Sequence, residues 1–134
     1  MMKKHIATSL MLTMLISAVI TYAGEMAAPL STLELKQTIG ANGKATLIFF
    51  QNPNGGPCKA QKGILDKFLK DRKGSFNIAS VNAMNQNDQK AFYDYGVRSL
   101  PTLVLVDKNG KIARVFPPGI QNRETLSSAM DGAK

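Results

Sequence analysis

The chain carries one sulfhydryl, Cys58, and its neighbours are Gly55-Gly56-Pro57 before it and Lys59 after it. A thiol can serve as a nucleophile toward disulfides. The start of a helix, with its unpaired N–H groups and positive dipole end, is where such chemistry is favoured. Pro57 suits the first helical position because its missing N–H has no intrahelical partner there. The same cysteine has a second reading, as a small buried apolar side chain that no reagent reaches. Other chemistries are narrowed at once. A single cysteine excludes an intramolecular disulfide and a cysteine zinc cluster. His5 is the only histidine and lies in the N-terminal apolar segment, so imidazole-based triads and metal sites find no donor in the rest of the chain. Glu34, Asp66, Asp71 and Asp88 show no spacing of a catalytic carboxylate pair. Gly55-Gly56 ahead of a helix could hold an anion, but no nucleotide fingerprint accompanies it. Nothing in the sequence calls for a cofactor or a metal.

The elements that must position Cys58 follow from the pattern of apolar residues. Residues 45–50 form a near-continuous apolar run, Ala-Thr-Leu-Ile-Phe-Phe, as expected of a central strand covered on both faces. Residues 51–56 are a turn-rich loop. A helix is expected from Pro57 to about Lys73, with Ala60, Ile64, Leu65, Phe68 and Leu69 on its inner face. Lys59, Lys62, Lys67, Lys70 and Lys73 then lie outside, read as a solvated face, and Gly74 ends the helix. Upstream, Ser31-Thr32-Leu33-Glu34 reads as a capping box opening a short helix to Ile39, with Leu33, Leu35 and Ile39 as its contacts. Downstream, residues 76–81 read as a strand, 82–88 as a loop, 89–95 as a helix stopped by Gly96, and 102–106 as a strand. Asp107-Lys108-Asn109-Gly110 is a hairpin turn and 111–116 the returning strand. Asn122 caps a last helix to about Met130. Tyr93 and Tyr95 are expected beside the last two strands. The order is an α/β sandwich of three layers with a mixed central sheet of about four strands.

These segments resemble the thioredoxin family. Leu47-Ile48-Phe49-Phe50, the loop, Gly56-Pro57-Cys58-Lys59 and Ile64-Leu65-Asp66 are similar to its active-site strand and helix. Gly96-Val97-Arg98-Ser99-Leu100-Pro101-Thr102-Leu103 is similar to its second signature, which carries a cis-proline before a strand. Asn109-Gly110-Lys111 and Gly119 fall where that family has its hairpin and a late glycine. The resemblance runs from about Lys36 to Met130. It implies a cis bond at Leu100-Pro101, an inward-turned Cys58, and a groove at Ser99, Leu100, Pro101 and Gly119 that pairs with an extended peptide. The backbone groups of Ser99 and Leu100 are then expected to be free.

The departures bear on function. Gly55 stands where the family has its attacking cysteine, Asn54 where it has a tryptophan, Phe49 where it has a buried aspartate, and Gly63 where many members have a proline. A dithiol cycle needs two sulfurs within disulfide reach. One chain with one sulfur cannot run it. Two functions stay open. One is monothiol exchange with protein thiols or disulfides, or with a small thiol, through Cys58 beside the Pro101 groove. The other is a redox-silent module that binds an extended segment of a partner. A Cys58-linked homodimer is a third form.

Composition and ends set the compartment. The chain has 134 residues, 17 basic and 9 acidic side chains, and a net charge of +8. Hydrophobic content of 44% with 19% charge is that of a globular chain. Lys3 and Lys4 precede an apolar run from Ile6 to Ile20, and Thr21-Tyr22-Ala23 places small residues before a cut ahead of Gly24. Residues 1–23 therefore read as a cleaved export signal and 24–134 as a single domain. The apolar run is short for a span of ~20 residues, and no cysteine follows it to carry lipid. No stable membrane anchor is expected. The destination is the periplasm in a Gram-negative bacterium and secretion otherwise. The remaining chain stays basic, which favours acidic partners or an anionic surface. It lacks the aromatic-interleaved basic motif that nucleic acid would call for.

Overall fold

The architecture comes from a computed structural model that describes residues 26–133. The expected signal, its cut before Gly24 and His5 lie outside the described residues. Eight elements follow in order: α1 (Leu33–Thr38), β1 (Thr46–Gln51), α2 (Gly56–Asp71), β2 (Asn77–Asn82), α3 (Gln89–Tyr95), β3 (Thr102–Val106), β4 (Ile112–Val115) and α4 (Arg123–Gly132). Short 3-10 turns stand at Ala41–Gly43 and Gln86–Asp88.

The sheet order is β2-β1-β3-β4. Strand β1 runs parallel to β2, with α2 as the crossover, and antiparallel to β3, which in turn is antiparallel to β4. Side chains alternate across a strand, so β1 and β3 feed two cores. Leu47, Phe49, Leu103 and Leu105 join Cys58, Leu65 and Phe68 of α2 and Leu126 and Met130 of α4. Ile48, Phe50, Val104 and Val106 join Leu35 of α1 and Ala91 of α3. All eight of these strand residues are buried, which explains why β1 reads as a continuous apolar run rather than an alternating one. Helices on both faces of a mixed four-stranded sheet make an α/β thioredoxin fold.

Several boundaries differ from the sequence reading, each for a local reason. The N-cap of α1 is Thr32, whose Oγ1 accepts from Leu35 N at 3.1 Å. The helix starts one residue later than the capping box requires, so Glu34 is not its third residue and the box does not form. The Ser31 hydroxyl instead donates to Asp94 on α3. Leu33 turns outward at 69% exposure, leaving Leu35 as the buried contact of α1. On α2 the buried positions are Cys58, Gln61, Leu65 and Phe68. That stripe passes beside Ala60, which is exposed, and puts a glutamine where the apolar face was expected. The five lysines are exposed as read. Tyr93 does not pack beside the last two strands, whereas Tyr95 packs against the cluster that holds Val104 and Val106 of β3. Two residues apart on a helix, they point away from each other: Tyr93 is 86% exposed, and the Tyr95 ring lies 5.4 Å from that of Phe50 in β1.

The turns agree with their residues. Gly96 takes a left-handed conformation (φ 65°) and its N–H reaches back to close α3, a position no β-branched residue tolerates well. Asp107 Oδ1 accepts from Asn109 N and Lys111 N, bracing the hairpin between β3 and β4. Residue Ala27 forms an isolated bridge with Lys111, and Ile112 N donates to Met26 O. The N-terminal arm therefore lies along the outer edge of β4. Among the described residues no helix is long and apolar enough to cross a membrane.

Candidate functional site

The loop leaving β1 folds back on itself before α2 begins. Asn52 Oδ1 accepts from Asn54 N at 3.0 Å and Asn52 O accepts from Gly55 N at 2.9 Å. Asn52 N–H then donates to Cys58 Sγ at 3.4 Å. Gly55 is the N-cap of α2 and has no side chain to offer the helix donors. Pro57 is the second residue of the helix rather than the first, since α2 opens at Gly56. Cys58, the third, is 3% exposed and packs in the same core cluster as Phe49. An aromatic ring therefore occupies the β1 position where the family has a carboxylate, and no acid from β1 faces this core.

Gly55 has φ −78° and ψ 135°, a conformation open to any residue. Its glycine is thus not required by the backbone. A Cβ placed there would lie 3.8 Å from Cys58 Sγ and 3.3 Å from Asn52 O. The missing side chain leaves a position directly beside the sulfur.

The second loop carries Ser99, Leu100 and Pro101. The Leu100-Pro101 peptide is cis. Ser99 is exposed, Pro101 is buried, and Leu100 is half-buried, packing against both cores. Ser99 O is not free: it accepts from Thr102 Oγ1 at 2.6 Å. The Leu100 N–H and C=O, by contrast, make no hydrogen bond among the described residues. Gly119 N donates to Pro101 O at 2.9 Å, which brings the third loop against the second. Gly119 has φ 114°, a region that strains any side chain.

One residue here escaped the sequence reading. Gln61 is fully buried, and its side-chain amide pairs with both backbone groups of Gln121. Gln121 N donates to Gln61 Oε1 at 2.6 Å, and Gln61 Nε2 donates to Gln121 O at 3.2 Å. The Gln121 side chain in turn donates to Pro117 O at 2.9 Å. The helix bearing Cys58 is thereby tied to the loop bearing Gly119. A glutamine three residues after Cys58 in an otherwise apolar stripe was the available signal.

Away from Cys58, α3 packs on the opposite face of the sheet, in the core of Leu35, Phe50 and Val104. Asp94 sits below the ordinary carboxylate range, held there first by the hydrogen bond from Lys90 and then by that from Ser31. Tyr95 is pushed above the ordinary phenol range, first by burial and then by the negative charge of Asp94. Its hydroxyl donates to Pro29 O at 2.7 Å. Among the described residues no three metal-ligating side chains cluster. A surface cavity of about 440 Å³ lies elsewhere, between α2 and α4, lined by Arg72 and by the paired Asp71 and Arg123.

A lone thiol near the start of the crossover helix, and a cis-proline loop whose Leu100 packs on the same core cluster as that thiol, are features of a thioredoxin-fold protein. The chain matches the thioredoxin-like domain family over residues 34–134 and belongs to that family. It is similar to thioredoxin 1 of Nostoc sp., with 29% identity over 105 residues that span 78% of this chain and 94% of that protein. The thioredoxin of Haemophilus influenzae is 36% identical over 66 residues, 49% of this chain and 59% of its own length. The X-ray structure of Fasciola hepatica thioredoxin shares the fold with a TM-score of 0.57 at 23% identity, covering 69% of this chain and 83% of that one. A malarial protein does so with a TM-score of 0.58 at 18% identity, covering 67% and 97%.

Proposed function

We propose that this protein is exported and takes part in thiol–disulfide exchange through Cys58, engaging an extended segment of a partner along Leu100-Pro101. The observation that carries the reading is the vacant position at Gly55, 3.8 Å from Cys58 Sγ, where a docked partner sulfur can stand. In the step, the Cys58 thiolate attacks one sulfur of a partner disulfide. The S–S bond breaks, a Cys58–partner mixed disulfide forms, and the partner's second sulfur leaves as thiolate and takes up a proton. Residue 55 supplies no second sulfur, so release needs a thiol from outside. A small disulfide can replace the protein partner in the same step.

A second reading is favoured by the burial of Cys58 at 3% and by its bond from Asn52. In it the sulfur is core and the groove alone recognises the partner. Mass analysis under non-reducing conditions, on protein taken from its native compartment, separates the two. A mixed disulfide or small-thiol adduct on Cys58 supports exchange. A thiol unmodified by disulfide reagents in the folded protein, yet fully reactive in denaturant, overturns exchange and leaves the binding module. In that case Cys58→Ser leaves partner recovery unchanged while Pro101→Ala still weakens it. The same spectrum tests export: Gly24 as first residue supports cleavage, and an intact Met1 on a membrane-embedded protein refutes it.

A further inference from the structure

The rim of the groove has a one-sided charge. Its three loops, residues 51–57, 96–101 and 116–122, contain no Asp or Glu. Two cations lie in or beside them. Arg98 directly precedes Ser99 and Lys59 directly follows Cys58, and both are exposed. Neither side chain makes a hydrogen bond or ion pair among the described residues, whereas Lys62, Arg72, Lys90 and Arg123 each have an aspartate partner.

Arg98 also lines a surface cleft of about 370 Å³ with Phe92, Tyr93 and Val97. The Tyr93 ring stands 86% exposed there. An exposed tyrosine beside an uncommitted guanidinium suits a side chain with an apolar stem and a carboxylate end, since the planar fork of Arg matches a carboxylate with two parallel hydrogen bonds. In an extended segment successive side chains point to opposite faces, so a carboxylate facing the cleft need not face the thiol.

We infer that the partner segment is acidic, with a carboxylate paired to Arg98 in the cleft beside Tyr93 and a second drawn toward Lys59. The inference rests on the reading of Leu100-Pro101 as a peptide groove and adds the chemistry of what it takes.

The test uses the purified protein and two short fluorescent peptides that share one apolar core and carry either glutamates or lysines around it. At low salt the glutamate peptide binds about fivefold to tenfold more tightly, and the preference shrinks as salt rises. Arg98→Glu reverses the preference, and Arg98→Gln abolishes most of it. Both changes are at an exposed position, and circular dichroism checks that the fold is kept. Equal affinity for the two peptides, or a preference that Arg98→Glu leaves untouched, overturns the inference and leaves the groove standing. No binding of either peptide overturns the groove and the inference together.

Discussion

Gly55 takes a backbone conformation any residue could adopt, so what its missing side chain alters is chemistry. Gly55→Cys would set a Cβ 3.8 Å from Cys58 Sγ and 3.3 Å from Asn52 O, so Asn52 must give way and the loop must close onto Cys58 for a second sulfur to reach bonding range. The variant should form an intramolecular disulfide, seen as loss of two hydrogens by mass, and should reduce disulfides repeatedly with an external reductant. Repeated turnover by the native protein without added thiol would contradict this account. Cys58→Ser should fold, because Asn52 N–H still meets an acceptor of nearly the same size. Its cost should reach ~1–3 kcal/mol if the hydroxyl proton finds no partner in the core, read by denaturant unfolding. At this scale the motif was legible in sequence, since Gly-Gly-Pro-Cys and Ser-Leu-Pro-Thr are local strings. The burial of Cys58 was legible only through the family resemblance, because exposure depends on what β1 and β3 bring against the helix.

Among the elements, α3 and β3 were readable to the residue, each bounded by its own breaker: Gly96 after one, Pro101 before the other. Helix α1 was misread by one position because Ser31 and Thr32 are both good caps, and the bond from Ser31 to Asp94, sixty-three residues away, decides between them. The link between α2 and the 117–121 loop was hidden for the same reason: Gln61 finds its partners only in three dimensions. Replacing it by leucine keeps the volume but strands the N–H and C=O of Gln121. Gln61→Leu should cost ~1–3 kcal/mol. It should also speed amide exchange at Gly119 and Gln121 well beyond that of β1, a local effect that hydrogen exchange resolves. Uniform exchange across the chain would mean that Gln61 supports the whole core rather than this loop.

For the molecule as a whole, two neighbours on α3 set opposite limits on stability. Asp94 has a lowered pKa in the folded state, so its contribution is present above the ordinary value of 3.8 and is lost as the pH falls below it. Tyr95 has a raised one, so its contribution is complete below the ordinary value of 10.0 and is lost as the pH rises beyond it. Asp94→Asn should flatten the acid limb of a stability–pH curve and Tyr95→Phe the alkaline limb, each measured by thermal unfolding. Both residues hold the arm that precedes α1, through Ser31 and Pro29, so neither limb should disturb the chemistry at Cys58. The sulfur itself, 3% exposed behind the 52–55 loop, has a further consequence. At 3% exposure a bulky reagent reaches it chiefly when that loop moves, so its labelling rate follows the intrinsic rate multiplied by the open fraction. The single thiol is thus a clock for the opening of its own lid, and any partner that holds the loop shut will slow it while any partner that holds it open will make it run.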